Sequence, residues 1–112
     1  MCFFGKIRRE ELLTHGDRTA PEDVIRSVEE GTARLLRGEP LAYVLGEWEF
    51  RGMTLKVTPD VLIPRDDTCA VTDLAVEALQ GIRDARVLDL CTGSGCIGLA
   101  VSREVPGTQV VL

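Results

Sequence analysis

The chain lacks the features that mark several large classes of protein. No run approaches the roughly 18–20 apolar residues of a membrane-spanning helix, and the opening MCFF is too short for the apolar region of a signal peptide, with Lys6 following at once. This argues against a membrane protein and against export, and for a cytoplasmic setting. Cys2, Cys69, Cys91 and Cys96 show no C-x-x-C spacing and His15 is the only histidine, so no zinc set is expected and the thiols read as reduced. Basic clusters are missing too. The first 46 residues hold seven basic and eight acidic side chains and the rest six against ten, for a net charge of −5. Nucleic-acid binding through phosphate neutralisation needs a concentrated basic face, so no direct nucleic-acid partner is expected.

What is present is ordinary globular material. With 112 residues, 45% apolar and 28% charged, the chain holds one domain's worth of core. One stretch implies a ligand as well as a fold: RVLDLCTGSGCIG, residues 86–98. Val87, Leu88 and Leu90 form a short apolar run interrupted by Asp89, then Thr92, Gly93, Ser94 and Gly95 make a small-residue turn opening into a helical pattern. Glycines there let a ligand lie against the main chain, and the unpaired N–H groups of the following helix face it with partial positive charge. Gly93, Gly95 and Gly98 spell the dinucleotide fingerprint G-x-G-x-x-G. Asp89, four positions ahead of Gly93, would repel a pyrophosphate but receive the ammonium of an amino-acid-bearing cofactor, which favours S-adenosylmethionine over a nicotinamide dinucleotide. The plainer alternative is that Asp89 caps the turn.

Around this unit the chain reads in order. Phe3 and Phe4 look like the tail of an apolar element, and residues 8–13 like a turn or two of helix. Thr19 and Glu22 offer a capping box, with Pro21 in the first turn of a helix carrying Val24, Ile25, Val28, Leu35 and Leu36 and stopping at Gly38. The segment 39–46 is short and apolar. The period then changes to two, with Trp48 and Phe50 before Arg51-Gly52 and Met53, Leu55 and Val57 after it, a hairpin in which these residues form core. VLIP at 61–64 is a short extended run, and Asp67 or Thr68 can cap a helix with Val71, Leu74, Ala75, Ala78 and Leu79 on one face. Helix, strand, helix, strand predicts a parallel strand pair with a right-handed crossover. Cys96 reads as a small apolar residue facing the neighbouring strand, and Arg65 as a partner of Asp66 or Asp67 or a site residue.

Three stretches in fixed order carry a resemblance: GEPLAYVLGEWEFRGMTLKVTPDVLIPR at 38–65, the acidic-Thr helix start at 66–68, and VLDLCTGSGCIGLA at 87–100. Together they resemble the HemK/PrmC family of protein-(glutamine-N5) methyltransferases. The resemblance implies an α/β chain: a helical, substrate-side remnant at 1–46, a β-hairpin linker at 47–64, and the start of a Rossmann-like methyltransferase domain at 65–112. It implies methyl transfer from S-adenosylmethionine to a glutamine side-chain nitrogen, usually the GGQ glutamine of peptide-chain release factors. By the same resemblance the cofactor-binding positions are Asp89, Cys91, Thr92, Gly93, Ser94 and Gly95. Cys91 stands where the family has its first loop glycine, so if that position needs positive φ its Cβ costs on the order of 1 kcal/mol. Cys69 takes the last acidic position of the family's IPRPETE series.

The family's Asn-Pro-Pro-Tyr signature has no counterpart, since the sequence contains no asparagine. The expectation is therefore an internal, truncated segment holding a cofactor cradle and no catalytic residue, without turnover alone and prone to self-association through unpaired sheet edges. Two other readings stay open: a fragment of an NAD-type oxidoreductase, and a non-catalytic module that binds a release factor or ribosomal partner.

Overall fold

The computed structural model describes residues 2–112 and divides them into two units, one ending at Leu45 and one spanning Gly46–Leu112. The first unit is all helix: α1 (Cys2–Gly5), α2 (Arg9–Thr14), α3 (Glu22–Leu36) and α4 (Leu41–Leu45). Its centre is Gly31. A Cβ there would stand 3.2 Å from the Phe4 ring and 3.3 Å from Val44, so the missing side chain is what lets α1 and α4 close on α3. At the far end of α3 the N–H groups of Gly38 and Glu39 return to the carbonyls of Leu35 and Arg34. Arg34 Nε donates to Glu39 Oε2 at 2.7 Å and its Nη2 to the Tyr43 carbonyl at 3.0 Å, tying α4 to α3.

Two expectations for this unit are corrected. Pro21, with ψ at 146°, is the residue before α3 and no side chain caps the helix, so Thr19 lies two residues too early to form the box. Leu36 is 84% exposed, because the inward stripe runs through Val24 and Gly31 to Arg34 and leaves the last residue turned away.

The second unit mixes helix and strand. β1 (Glu47–Phe50) and β2 (Met53–Lys56) form an antiparallel hairpin in which Trp48 pairs Leu55 and Phe50 pairs Met53. Residues 57–66 carry no strand, so VLIP is irregular chain. α5 (Asp67–Leu79) follows, then β3 (Arg86–Leu88), α6 (Cys96–Glu104) and β4 (Gln109–Val111). β3 and β4 are parallel, with Val87 opposite Val110, and the pairing extends through the Asp89 N–H to the Val111 carbonyl at 2.9 Å. The core joins hairpin to helix: Phe50 and Leu55 pack with Cys96 and Ala100, flanked by Met53, Cys69 and Ile97. Cys96 thus faces the hairpin, where a neighbouring strand was expected.

The inward face of α5 also differs from the expected one. Thr72 is fully buried, while Val71 and Leu74 are 55% and 66% exposed. The buried polar group is satisfied inside the helix, the Thr72 hydroxyl donating to the Thr68 carbonyl at 2.9 Å. Asp66 precedes the helix without a side-chain cap bond, so neither Asp67 nor Thr68 is its cap. Among the described residues no helix is long and apolar enough to cross a membrane.

Candidate functional site

The turn between β3 and α6 is built on backbone that ordinary residues avoid. Cys91, Gly93 and Gly95 have φ of +61°, +58° and +76°. The two glycines adopt this without cost, whereas Cys91 bears a Cβ in the left-handed region. Gly95 is the residue before α6 and offers no capping side chain. Asp89 supplies the cap from the end of β3: its Oδ2 accepts from the Gly98 N–H at 2.9 Å and from the Thr92 hydroxyl at 2.9 Å. One carboxylate oxygen so fixes both the turn and the first turn of the helix, and places negative charge at the positive end of α6.

Gly98 makes that arrangement possible. A Cβ at this position would run into the Leu112 side chain and stand 3.0 Å from Asp89 Oδ2 and 3.1 Å from Val110 Cγ1. The helix therefore lies against the strand ends as closely as main chain allows.

In front of the turn is a cleft of about 160 Å³ lined by Leu62, Ile63, Pro64 and Arg65, by Thr68, and by Cys91, Thr92, Gly93, Ser94 and Cys96. Two stretches more than twenty residues apart in the sequence thus become its facing walls. Of the six positions singled out from sequence, Cys91, Thr92, Gly93 and Ser94 line the cleft, while Asp89 and Gly95 shape the turn without lining it. Apart from Arg65, which it left open as a site residue, the sequence reading did not place the wall 62–68 or Cys96 in the site. The signal was there, since the IPR series belongs to the same resemblance as the glycine turn. Arg65 makes no ion pair with Asp66 or Asp67 among the described residues and lines the cleft.

The first unit holds a larger cleft of about 460 Å³, lined by apolar residues such as Ile7, Leu12 and Val24, with His15 at its edge. His15 shares a hydrogen bond with the Thr14 hydroxyl at 3.0 Å, and Glu11 and Arg18 line the same cleft. No group of three or more metal-ligating side chains occurs among the described residues.

Comparison with known proteins agrees with both units. A family model described as the PrmC N-terminal domain matches residues 1–46. A release factor glutamine methyltransferase of Vibrio cholerae is 45% identical over 110 residues, covering 98% of this chain and 38% of that protein. Over nearly its whole length the chain is similar to the PrmC family. Another PrmC-family relative, the release factor glutamine methyltransferase of Bordetella pertussis, is 51% identical over 78 residues, 70% of this chain and 29% of its own length. That of Thermodesulfovibrio yellowstonii is 36% identical over 98% of the chain and 40% of its own length. The chain thus spans about two fifths of the relatives it matches most fully, and both the helical unit and the glycine turn fall within the matched span.

Proposed function

We propose that this chain carries the S-adenosylmethionine cradle of a cytoplasmic protein glutamine N5-methyltransferase acting on the GGQ glutamine of a peptide-chain release factor. In this reading residues 65–112 begin a Rossmann-like domain, 47–64 link it through the hairpin, and 1–46 are the substrate-side helical part. The observation that carries it is the meeting, in one cleft, of the IPR-Thr wall and the glycine turn. The names of the relatives support the release factor as substrate.

The cleft suits the polar end of such a cofactor. Its volume is below the ~300–1,000 Å³ of sites that enclose a whole drug-sized ligand, so it takes one end and leaves the remainder outside. Cys91 to Ser94 would lie along that end with main-chain N–H groups, and Asp89 Oδ1, which accepts no hydrogen bond among the described residues, is left for an ammonium. The cofactor supplies a methyl group on a sulfonium. An amide nitrogen is a poor nucleophile, so the acceptor must be held in line with its N–H groups engaged by acceptors. With no asparagine in these 112 residues, the Asn-Pro-Pro-Tyr signature that would do this is not among them.

Titration calorimetry with S-adenosylmethionine, S-adenosylhomocysteine and NAD tests the reading. Heat with the first two and none with NAD is the expected result; heat with NAD alone, or with none of the three, would remove it. Incubated with a release factor and labelled donor, the 112-residue chain should transfer no methyl group.

A further inference from the structure

The hairpin turn breaks a local rule. Two-residue turns with positive φ at both central positions favour Asn, Asp or Gly at the first. Here that position is Arg51 at +50°, followed by Gly52 at +72°. Arginine gains nothing as a turn former in the left-handed region. What it contributes is its side chain: Nε and Nη2 donate as a fork to the two oxygens of Glu104 at 2.8 and 2.7 Å, and Nη1 donates to Asp73 Oδ1 at 2.6 Å. Arg103 Nη1 in turn donates to the Arg51 carbonyl at 3.3 Å. The Arg51 side chain is only 20% exposed.

These acceptors sit on two helices. Asp73 is mid-way along α5 and Glu104 is the last residue of α6. The opposite end of α6 emerges from the glycine turn, and the start of α5 carries Thr68 of the facing wall. We infer that Arg51 is a positioning residue for the cleft, acting through Glu104 and Asp73 to hold α5 and α6 at the spacing that lets residues 62–68 face the turn. The inference rests on the methyl-donor reading for its ligand and on the ion-pair geometry for its mechanism. A lysine, a point charge without a planar fork, could not engage both Glu104 oxygens and Asp73 together.

The test is amide hydrogen exchange by NMR on the full chain, with calorimetry alongside. Arg51→Gly deletes the clamp and relieves the turn; Arg51→Lys keeps the charge and loses the fork, and carries the test should the glycine variant not fold. In both variants the Thr68, Gly95 and Gly98 amides should exchange roughly tenfold faster relative to the Asp89 and Gln109 amides of the β3–β4 ladder. The dissociation constant for S-adenosylmethionine should rise by about the same factor, read well below the unfolding midpoint where loss of folded protein does not contribute. Cleft amides that stay unchanged, or that accelerate only in step with the ladder, overturn the inference by reducing Arg51 to general stability. If the exchange pattern holds while the unsubstituted chain binds no donor, the clamp stands and the methyl-donor reading falls.

Discussion

Replacing Cys91 by glycine should stabilise the chain, although most substitutions destabilise. At φ +61° the Cβ of Cys91 stands in the region that L-residues avoid, at a cost of about 1–2 kcal/mol. Glycine removes that cost but adds freedom to the unfolded chain, which takes back about 0.4–1 kcal/mol. Cys91 is exposed and outside the core cluster, so little packing is lost. The balance is a gain of roughly 0.5–1 kcal/mol, or a rise of about 3–6 °C in unfolding midpoint for a unit of this size. Thermal and urea unfolding of Cys91→Gly beside Cys91→Ala decides the matter, because alanine removes the thiol and keeps the Cβ. Only the glycine variant should shift upward. Equal shifts in both would mean that the thiol is the destabilising group, and a fall with glycine would show that this residue is not held left-handed in solution.

Gly98→Ala should cost more than Gly93→Ala in urea unfolding. The first drives a Cβ into Leu112 and toward Asp89 and Val110, an overpacking penalty of about 1–3 kcal/mol, whereas the second meets nothing within 4 Å and bears only left-handed strain. Asp89→Ala leaves the Gly98 N–H without its acceptor and should lose about 1–2 kcal/mol; an unchanged midpoint would contradict the capping role. Hydrogen bonds from Arg51 hold the Glu104 carboxyl below its ordinary value of 4.5, and those from Arg34 do the same for Glu39. In the window below 4.5 the unfolded chain therefore binds more protons than the folded one, so stability is full above that value and falls as pH drops through the folded values. Urea midpoints measured from neutral pH downward should show that fall, and Glu104→Gln should flatten part of it. Leu88 and Val111, paired across β3 and β4, are 66% and 59% exposed on a two-stranded sheet, so light scattering across a concentration series should report self-association; a monomer throughout would refute it.

The order of strand, turn, helix and strand in residues 86–111 was legible because it is written in local signals: a short apolar run, a glycine-rich interruption, then helical spacing. The hairpin was legible for the same reason. What escaped depends on partners distant in sequence. α5 offers two apolar stripes of similar weight, and the one that turns inward contains Thr72, whose hydroxyl is satisfied by its own helix and so does not resist burial. Hydropathy counts that residue against the face that is in fact buried. The second wall of the cleft lies some 25 residues ahead of the glycine turn, and only the tertiary fold brings the two together. Arg51 finds its acceptors 22 and 53 residues away, beyond the reach of any periodicity.

Two of the non-glycine residues in left-handed backbone lie in the second unit at turns with demanding geometry, Arg51 and Cys91. They are compensated differently. Arg51 recovers its strain through a fork of hydrogen bonds to Glu104 and a further bond to Asp73. Cys91 has no such return: its thiol is free and exposed, and it makes no hydrogen bond or ion pair among the described residues. Asp84, also left-handed, is a residue type that tolerates the region. Strain that the fold does not repay persists where surrounding structure over-determines it, and around Cys91 that structure is the Asp89 cap on one side and the parallel strand pair on the other. The turn is thus held open by Asp89 and Gly98 whether residue 91 is cysteine or glycine. Cysteine there should therefore weaken the stability of the cradle without altering its shape, and the donor affinity of Cys91→Gly should change less than that of Asp89→Ala.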